Sequence, residues 1–506
     1  MPLDTTPRAA GGAAAGTGLD VHRHLSPPAA VRLLGRWHAG GPAYVALADA
    51  VRAAVLAGTL APHTRLPSER DLAAALGVSR TTTAAAYRRL RELGFARSRT
   101  GAGTVVVLPD GGRRRPAART AGGDVPAGTP GDGTPVDLAD LSQATSAAPS
   151  GLHAAYARAL ERLPAYLGDG GYEPYGVAAL REAVAARFTE RGTPTGADHV
   201  LVTTGAQHAI TTLATTLLRP GDRVVVQSPT YYHAMEALRR AGARLVPLPV
   251  GRGGPGATPG FDVELFESTL HQVAPRLVYL VPDFHNPTGY TLTAAERAGV
   301  REAAARHRVT VIGDETLTDL ALDAPPDATD DVAPPLAGDG ASPHVVTVGS
   351  ASKSFWGGLR VGWVRAHPDL VARLARTRQS ADIATAVLEQ LAVVELLRER
   401  GAVLAERRAA LRAQRDLLCG LLADAVPDWH VPVPAGGLSL WADLGAPLAH
   451  AVAAAAAAQG VLVNAGPTFT PDASSTDRLR MTFSRRPEDL ERAVPRLAAA
   501  WSRVQG

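Results

Sequence analysis

Hydrophobic and polar positions divide this chain into stretches of different rhythm. Helices are predicted over about Ala29–Trp37 and Tyr44–Ala57, the second with Leu47, Val51, Val55 and Leu56 on one face. Gly40, Gly41 and Pro42 break the chain between them. Pro67-Ser68-Glu69-Arg70-Asp71 opens a helix that runs to Leu76: Ser68 can cap it, Asp71 stands where a capping box carries Glu, and Gly77 ends it. Ser79 caps a further helix to about Leu93, with Gly94 as its stop. Phe95–Arg99 and Thr104–Leu108 flank Thr100-Gly101-Ala102-Gly103 and read as a short hairpin. Residues 109–135 have no rhythm at all. They are Gly, Pro, Ala, Thr and Arg, a flexible linker with a mean reach of roughly 28 Å.

From Val136 onward short apolar runs alternate with helical ones. Strands are predicted at His199–Thr203, Arg223–Gln227, Leu277–Val281, Val309–Ile312 and Val345–Val348. Helices such as Gln207–Leu218 and Ala294–His307 fall between them. This alternation predicts a mostly parallel sheet covered on both faces. After about Asp382 a long Ala/Leu/Arg helix leads into a smaller C-terminal region. The expected division is a disordered tail over 1–28, a small helical and hairpin domain over 29–108, the linker over 109–135, and a large α/β domain over 136–506.

Composition sharpens this picture at one position. The 52 basic residues comprise 51 arginines and a single lysine, Lys353. Arginine replaces lysine wherever charge alone matters, but its pKa above about 12 bars it from acting as a neutral amine. The surviving lysine is either a chance remnant or an amine that attacks a carbonyl. Charge is also uneven. Residues 44–108 hold nine arginines against four acids, although the whole chain is only +4, so a basic module sits on a near-neutral body. One cysteine, Cys419, excludes an internal disulfide. The longest apolar stretch, Ala451–Ala458, is far short of the ~20 residues that span a bilayer. A cytoplasmic protein with no metal site and no membrane association is expected.

Residues 66–93 form a helix-turn-helix whose second helix begins Ser79-Arg80-Thr81-Thr82-Thr83. Recognition helices meet base edges at that end, and arginine forks suit guanine. The ordered string Leu66-Pro67-Ser68-Glu69-Arg70-Asp71-Leu72-Ala73, Gly77-Val78-Ser79-Arg80-Thr81-Thr82, Tyr87-Arg88-Arg89-Leu90 and Leu93-Gly94 resembles the winged helix of GntR-type regulators. The resemblance implies DNA contacts from Arg65, Arg70, Ser79, Arg80, Thr81 and Thr82 and from the wing at Gly101 and Gly103. Ser68 and Glu69 read as capping rather than readout, and Tyr87 as core. Arg88, Arg89 and Arg91 read equally as a solvated face or as phosphate contacts.

In the large domain, chemistry-bearing residues recur at the ends of successive strands, where sheet folds place ligands. They are Thr203-Thr204-Gly205-Ala206-Gln207, Ser228-Pro229-Thr230-Tyr231, Asn286-Pro287-Thr288-Gly289, Asp314, and Ser350-Ala351-Ser352-Lys353 with Arg360. Arg480 follows near the C-terminus. Singly, the glycine turn could be any turn and Tyr231 could be core. Together they resemble fold-type I enzymes of the class I/II aminotransferase group, which use pyridoxal 5′-phosphate (PLP). By that resemblance Lys353 carries the cofactor, Asp314 pairs with its ring nitrogen, Asn286 reaches its O3′ and Tyr231 stacks on the ring. Gly205, Ala206, Gln207, Ser350, Ser352 and Arg360 hold its phosphate, Tyr172 reaches the phosphate of a partner subunit, and Arg480 receives an α-carboxylate. The chain departs from the pattern in one respect: a Tyr usual two or three residues after the Asp is replaced by Thr316 or Leu317.

The whole resembles MocR-type regulators: an α+β winged helix-turn-helix followed by an α/β fold-type I aminotransferase domain. This implies a homodimer on double-stranded DNA half-sites, with PLP, a small amine or an amino acid as effector. The competing readings are an active aminotransferase with a DNA-binding appendage and a DNA-binding protein with an idle structural domain. A lone lysine in this arginine background argues against the idle domain.

Overall fold

The computed structural model describes residues 23–35, 37, 41–99, 103–109, 138–250, 260–323, 334–340 and 342–505. The chain divides into two compact units, residues 1–116 and 117–506. Within the first unit, helices Pro27–Leu34, Ala43–Leu56, Glu69–Leu76 and Arg80–Glu92 pack with a four-stranded sheet. The first helix stops at Leu34, short of Trp37, because Gly35 turns the chain with φ 52°. Residues 23–28, read from sequence as part of the tail, instead pair Arg23–His24 with Thr64–Arg65 and begin the first helix, capped by Ser26 and started by Pro27 and Pro28.

Local chemistry fixes the helix-turn-helix. The Ser68 hydroxyl accepts from the Asp71 amide at 3.1 Å and donates to the Asp71 carboxylate at 2.7 Å. The shorter Asp thus takes the capping hydroxyl, whereas a full reciprocal box forms at Thr293 and Glu296. Gly77 closes that helix in the left-handed region at φ 67°, and Ser79 caps the next one. The Thr83 hydroxyl donates to the Glu69 carbonyl at 2.8 Å, pinning the second helix to the first. Tyr87 is buried and donates to the Pro67 carbonyl at 2.8 Å, so the packing reading of this residue holds. The wing strands Ala96–Arg99 and Gly103–Val106 pair as a hairpin.

The second unit is built on a seven-stranded sheet. Its order is Val200–Thr203, Gly362–Arg365, Val345–Ser350, Thr310–Asp314, Leu277–Leu280, Arg223–Ser228 and Arg244–Pro249. All pairs are parallel except those of Gly362–Arg365, which runs antiparallel to both neighbours. The five strands expected from sequence are present. The two not foreseen are this strand, whose Trp363 and Val364 stand between a glycine and an arginine and so form no apolar run, and the edge strand Arg244–Pro249. The edge strand's Pro247 and Pro249 mask its pattern and are tolerated only because it lies at the edge. A smaller sheet, Ser439–Asp443, Arg478–Thr482 and Asn464–Ala465, forms the C-terminal region. The single long helix expected after Asp382 is two, Val387–Arg398 and Arg400–Ala425. Among the described residues, no helix is long and apolar enough to cross a membrane.

Candidate functional site

The carboxyl ends of the parallel strands open onto one cavity of about 490 Å³. Ala206, Gln207, Tyr231, Asn286, Asp314, Ser350, Ser352, Lys353, Arg360 and Arg480 all line it. Most of them stand at or just past the end of a strand, whereas Arg360 precedes the strand Gly362–Arg365 and Arg480 lies within Arg478–Thr482 of the smaller sheet. The turn after Val200–Thr203 is possible only for glycine: Gly205 has φ 85°, and a Cβ on it would stand 2.7 Å from the Arg360 guanidinium. From Ala206 a helix begins, and the backbone amides of its first turn have no acceptor within the helix. Arg360 itself donates to the Thr204 carbonyl at 3.2 Å.

Asp314 ends its strand in the interior. The Thr316 amide donates to its Oδ1 at 3.1 Å, and the Tyr279 hydroxyl donates to its Oδ2 at 2.6 Å. Burial pushes this carboxyl up, while those two donors and Lys353 hold it down. Lys353 Nζ donates to the Ala144 carbonyl at 2.8 Å. Burial, then the nearby Arg480, lowers its pKa from 10.5 to about 8, bringing a neutral amine within reach near neutral pH. Arg480 is 3% exposed. Its Nε donates to Ser439 Oγ at 3.0 Å and its Nη1 to the Ser142 carbonyl at 2.6 Å, leaving Nη2 without an acceptor among the described residues. Its guanidinium lies 5.7 Å from the Phe469 ring, and burial lowers its pKa to about 10.

Several buried polar atoms at this cavity have no protein partner: Gln207 Oε1, Asn286 Oδ1, Ser352 Oγ and Asn464 Oδ1. Unmet polar atoms in a pocket ask for a polar ligand. Amine, carboxylate, amide, hydroxyls, helix start and guanidinium are the donor set PLP requires, so the residues present fit that group.

One expected residue does not line the cavity: Gly205 shapes the turn beside Arg360. Tyr172, expected to reach the phosphate of a partner subunit, is 69% exposed and is not part of this chain's own cavity lining. Sequence reasoning missed Tyr279, which reads as core in Leu277–Leu280. Only the strand register, Tyr279 opposite Ile312, brings it beside Asp314. It also missed the segment Ser142–Thr145, whose carbonyls meet Arg480 and Lys353, because backbone acceptors leave no mark in a sequence.

In the first unit Arg70, Ser79, Arg80 and Thr81 are exposed and Thr82 is half-buried. The Ser79 hydroxyl lies 2.7 Å from that of Thr81 and 2.8 Å from that of Thr82, so the three form one small polar cluster at the helix start. The Arg65 guanidinium lies against Gly103, where a Cβ would stand 2.7 Å from its Nε. Arg91 donates to Ser98 Oγ at 3.1 Å, tying the helix to the wing. Gly101 lies outside the described residues.

Comparison with known proteins agrees with this division. Residues 157–497 match the family described as aminotransferase class I and II, and residues 43–106 match the gntR family of bacterial regulatory proteins. The chain is 30% identical over 312 residues to the 2-aminoadipate transaminase of Thermus thermophilus, covering 61% of this chain and 75% of that protein. It is 26% identical over 405 residues to the HTH-type transcriptional regulator YisV of Bacillus subtilis, covering 76% and 81%. Among solved structures it resembles LysN, the alpha-aminoadipate aminotransferase of Thermus thermophilus complexed with N-(5′-phosphopyridoxyl)-L-leucine. The TM-score is 0.65 at 27% identity, covering 73% of this chain and 93% of that one.

Proposed function

We propose, for a chain that belongs to the class I and II aminotransferase family and carries a GntR-type DNA-binding domain ahead of it, that the aminotransferase-fold domain senses PLP or an amine or amino-acid adduct of it and thereby controls transcription. The observation that carries this reading is the meeting of the protein's only lysine, a buried carboxylate and a buried guanidinium in one cavity of a chain that also bears a helix-turn-helix.

PLP, when bound, supplies an aldehyde that links to amines and a protonated ring that draws electrons. The chain's own residues do the rest. Lys353 offers the amine, in a setting that favours its neutral form. Asp314, fixed by Tyr279 and Thr316, keeps a negative oxygen for the ring nitrogen's proton. Asn286 and Ser352 offer unmet polar atoms, and Tyr231 offers a ring face. Arg360 and the helix start at Ala206 face the phosphate. Arg480 receives the α-carboxylate on its unpaired edge. Exchange of one amine for another at this site changes what stands beside Arg480. A ligand that prefers one arrangement of the domain tenfold shifts the balance by about 1.4 kcal/mol, enough to alter promoter occupancy.

The regulator acts as a homodimer reading two half-sites of double-stranded DNA. Supporting this, large apolar residues are exposed close together in sequence: Leu160 at 54%, Leu167 at 68% and Tyr172 at 69%. Tyr172 would reach the partner's phosphate group. Arg65, Arg70, Ser79, Arg80, Thr81, Thr82 and the wing at Gly101 and Gly103 are the proposed DNA contacts. A second reading, an active aminotransferase, is favoured by the complete set of Lys353, Asp314 and Arg480. One experiment separates the two: promoter binding and steady-state transamination measured over the same panel of amines and amino acids, with and without PLP. Ligand-dependent DNA affinity without rapid turnover is expected. Turnover at ordinary enzyme rates, with DNA affinity indifferent to every ligand and to PLP, would replace regulation with catalysis.

A further inference from the structure

We propose that the cavity selects an α-amino acid with an uncharged, apolar side chain, received on a wall made by Phe284, Leu317 and Leu438. The proposal rests on the reading above, in which Lys353 serves the cofactor and Arg480 the α-carboxylate.

Among the described lining residues the carboxylates, guanidiniums and amines are Asp314, Arg360, Arg480 and Lys353, and each already has a task. The two histidines add no free cation. His285 is buried, its Nδ1 lies 2.9 Å from Thr288 Oγ1, and burial lowers its pKa to about 3, so it is neutral. His233 Nδ1 stands 3.5 Å from the Glu236 carboxylate, which occupies that ring edge. An acidic side chain would enter without a counter-ion, and a basic one would have only Asp314, which Tyr279 and Thr316 already hold. An amine without a carboxylate would leave the Arg480 edge unanswered.

The apolar wall is held in place by its surroundings. Phe284 sits in the left-handed region at φ 44°, which is costly for an aromatic residue. Such outliers persist where surroundings hold them, and they cluster at ligand clamps. Here the surroundings are explicit. The Phe284 amide donates to Thr291 Oγ1 at 3.0 Å. Its ring occupies a notch left by two glycines: a Cβ on Gly436 would lie 2.4 Å from Phe284 Cε1, and one on Gly437 3.1 Å from Phe284 Cβ. The notch is itself anchored, with Gly436 bridged to Ala321 and the Gly437 amide donating to the Leu320 carbonyl at 2.9 Å. Leu438 and Leu317 complete the wall at 3% and 8% exposure. Leu317 is one of the two positions where the family pattern carries a Tyr. The departure that removes a phenolic donor thus adds apolar surface at the same place.

The test uses the full chain loaded with PLP. Dissociation constants are read from the visible absorbance on titration with L-leucine, L-methionine and L-phenylalanine, and with L-glutamate, L-aspartate, L-lysine and 4-aminobutyrate. The apolar amino acids should bind at least about tenfold more tightly than any of the others, a difference of about 1.4 kcal/mol. Phe284→Ala should weaken the apolar ligands about tenfold while leaving glutamate unchanged. Leu438→Arg should raise glutamate affinity. Retention of the cofactor band checks the fold of each variant, and Phe284→Leu, which keeps an apolar wall, should keep the preference. Tightest binding of glutamate, lysine or 4-aminobutyrate overturns the proposal, as does an equal loss for all ligands in Phe284→Ala. A chain with no Lys353-dependent band fails the parent reading. A chain with that band and an acidic preference fails only this one.

Discussion

Arg80 and Arg480 are one residue type put to opposite uses. Arg80 stands exposed in the first turn of its helix, in a unit whose arginines outnumber its acids nine to four between residues 44 and 108. Arg480 is interior, two of its nitrogens fixed by Ser439 and Ser142, its pKa drawn down by burial. The first unit offers charge to a polyanion that supplies its own shape. The second removes charge from water and fixes its direction before any ligand arrives. Surface charge gives long-range, salt-sensitive attraction, whereas buried charge gives selectivity because an unmatched partner leaves it unanswered.

Five measurements would sharpen that contrast or break it, beginning with the largest effect. Lys353→Ala should abolish the covalent cofactor and its visible band outright, with borohydride no longer fixing a label at residue 353, while the salt dependence of DNA binding stays as it was. In the parent chain the rate of cofactor capture should rise with pH and level off above about 8. The neutral amine is the attacking form, and its folded pKa lies near 8 rather than at the ordinary 10.5. A rate still climbing steeply at pH 10 would remove the interior from the comparison.

Arg480→Ala should cost amino-acid ligands about 2–5 kcal/mol in affinity and spare the cofactor, since a carboxylate would then meet no fork. Titration of the cofactor-loaded protein reads this directly, and an unchanged dissociation constant would move the α-carboxylate elsewhere. Arg80→Ala should cost about 1–3 kcal/mol of promoter affinity and relax sequence preference if the guanidinium reads a base, or lower affinity on all sequences if it holds phosphate. Binding indifferent to the change would place Arg80 outside the interface. The smallest effect belongs to Tyr87→Phe, which should lose about 1 kcal/mol of stability by leaving the Pro67 carbonyl without its donor. Denaturant unfolding of the full chain, followed in its first transition, would show it.

The order of the elements and most of the cavity's chemistry were legible because they are local. Capping residues, glycine stops and strand-end motifs are written in consecutive positions, as at Ser79, Gly77 and Ser350–Lys353. What was not legible depends on register and on backbone. Tyr279 reads as one more apolar residue of a buried strand until its neighbour's register sets it beside Asp314. Ser142 and Ala144 act through carbonyls that any residue would carry. Phe284 gave no signal because its backbone angle and the glycine notch that receives it are separated by about 150 positions. The strand Gly362–Arg365 escaped for a different reason: only Trp363 and Val364 are apolar, between a glycine and an arginine, so it makes no apolar run such as the equally short and buried Val200–Thr203 and Leu277–Leu280 do.

The placement of Lys353 has a practical side. It is the protein's only side-chain primary amine, and it lines the cavity. Reagents that acylate side-chain amines therefore have a single destination, and anything bound there shields it. The yield of such a labelling reaction becomes an occupancy gauge that needs neither chromophore nor DNA. By the same token, acetyl groups directed at lysine have no other address on this molecule, and a lysine-specific protease has one bond to cut.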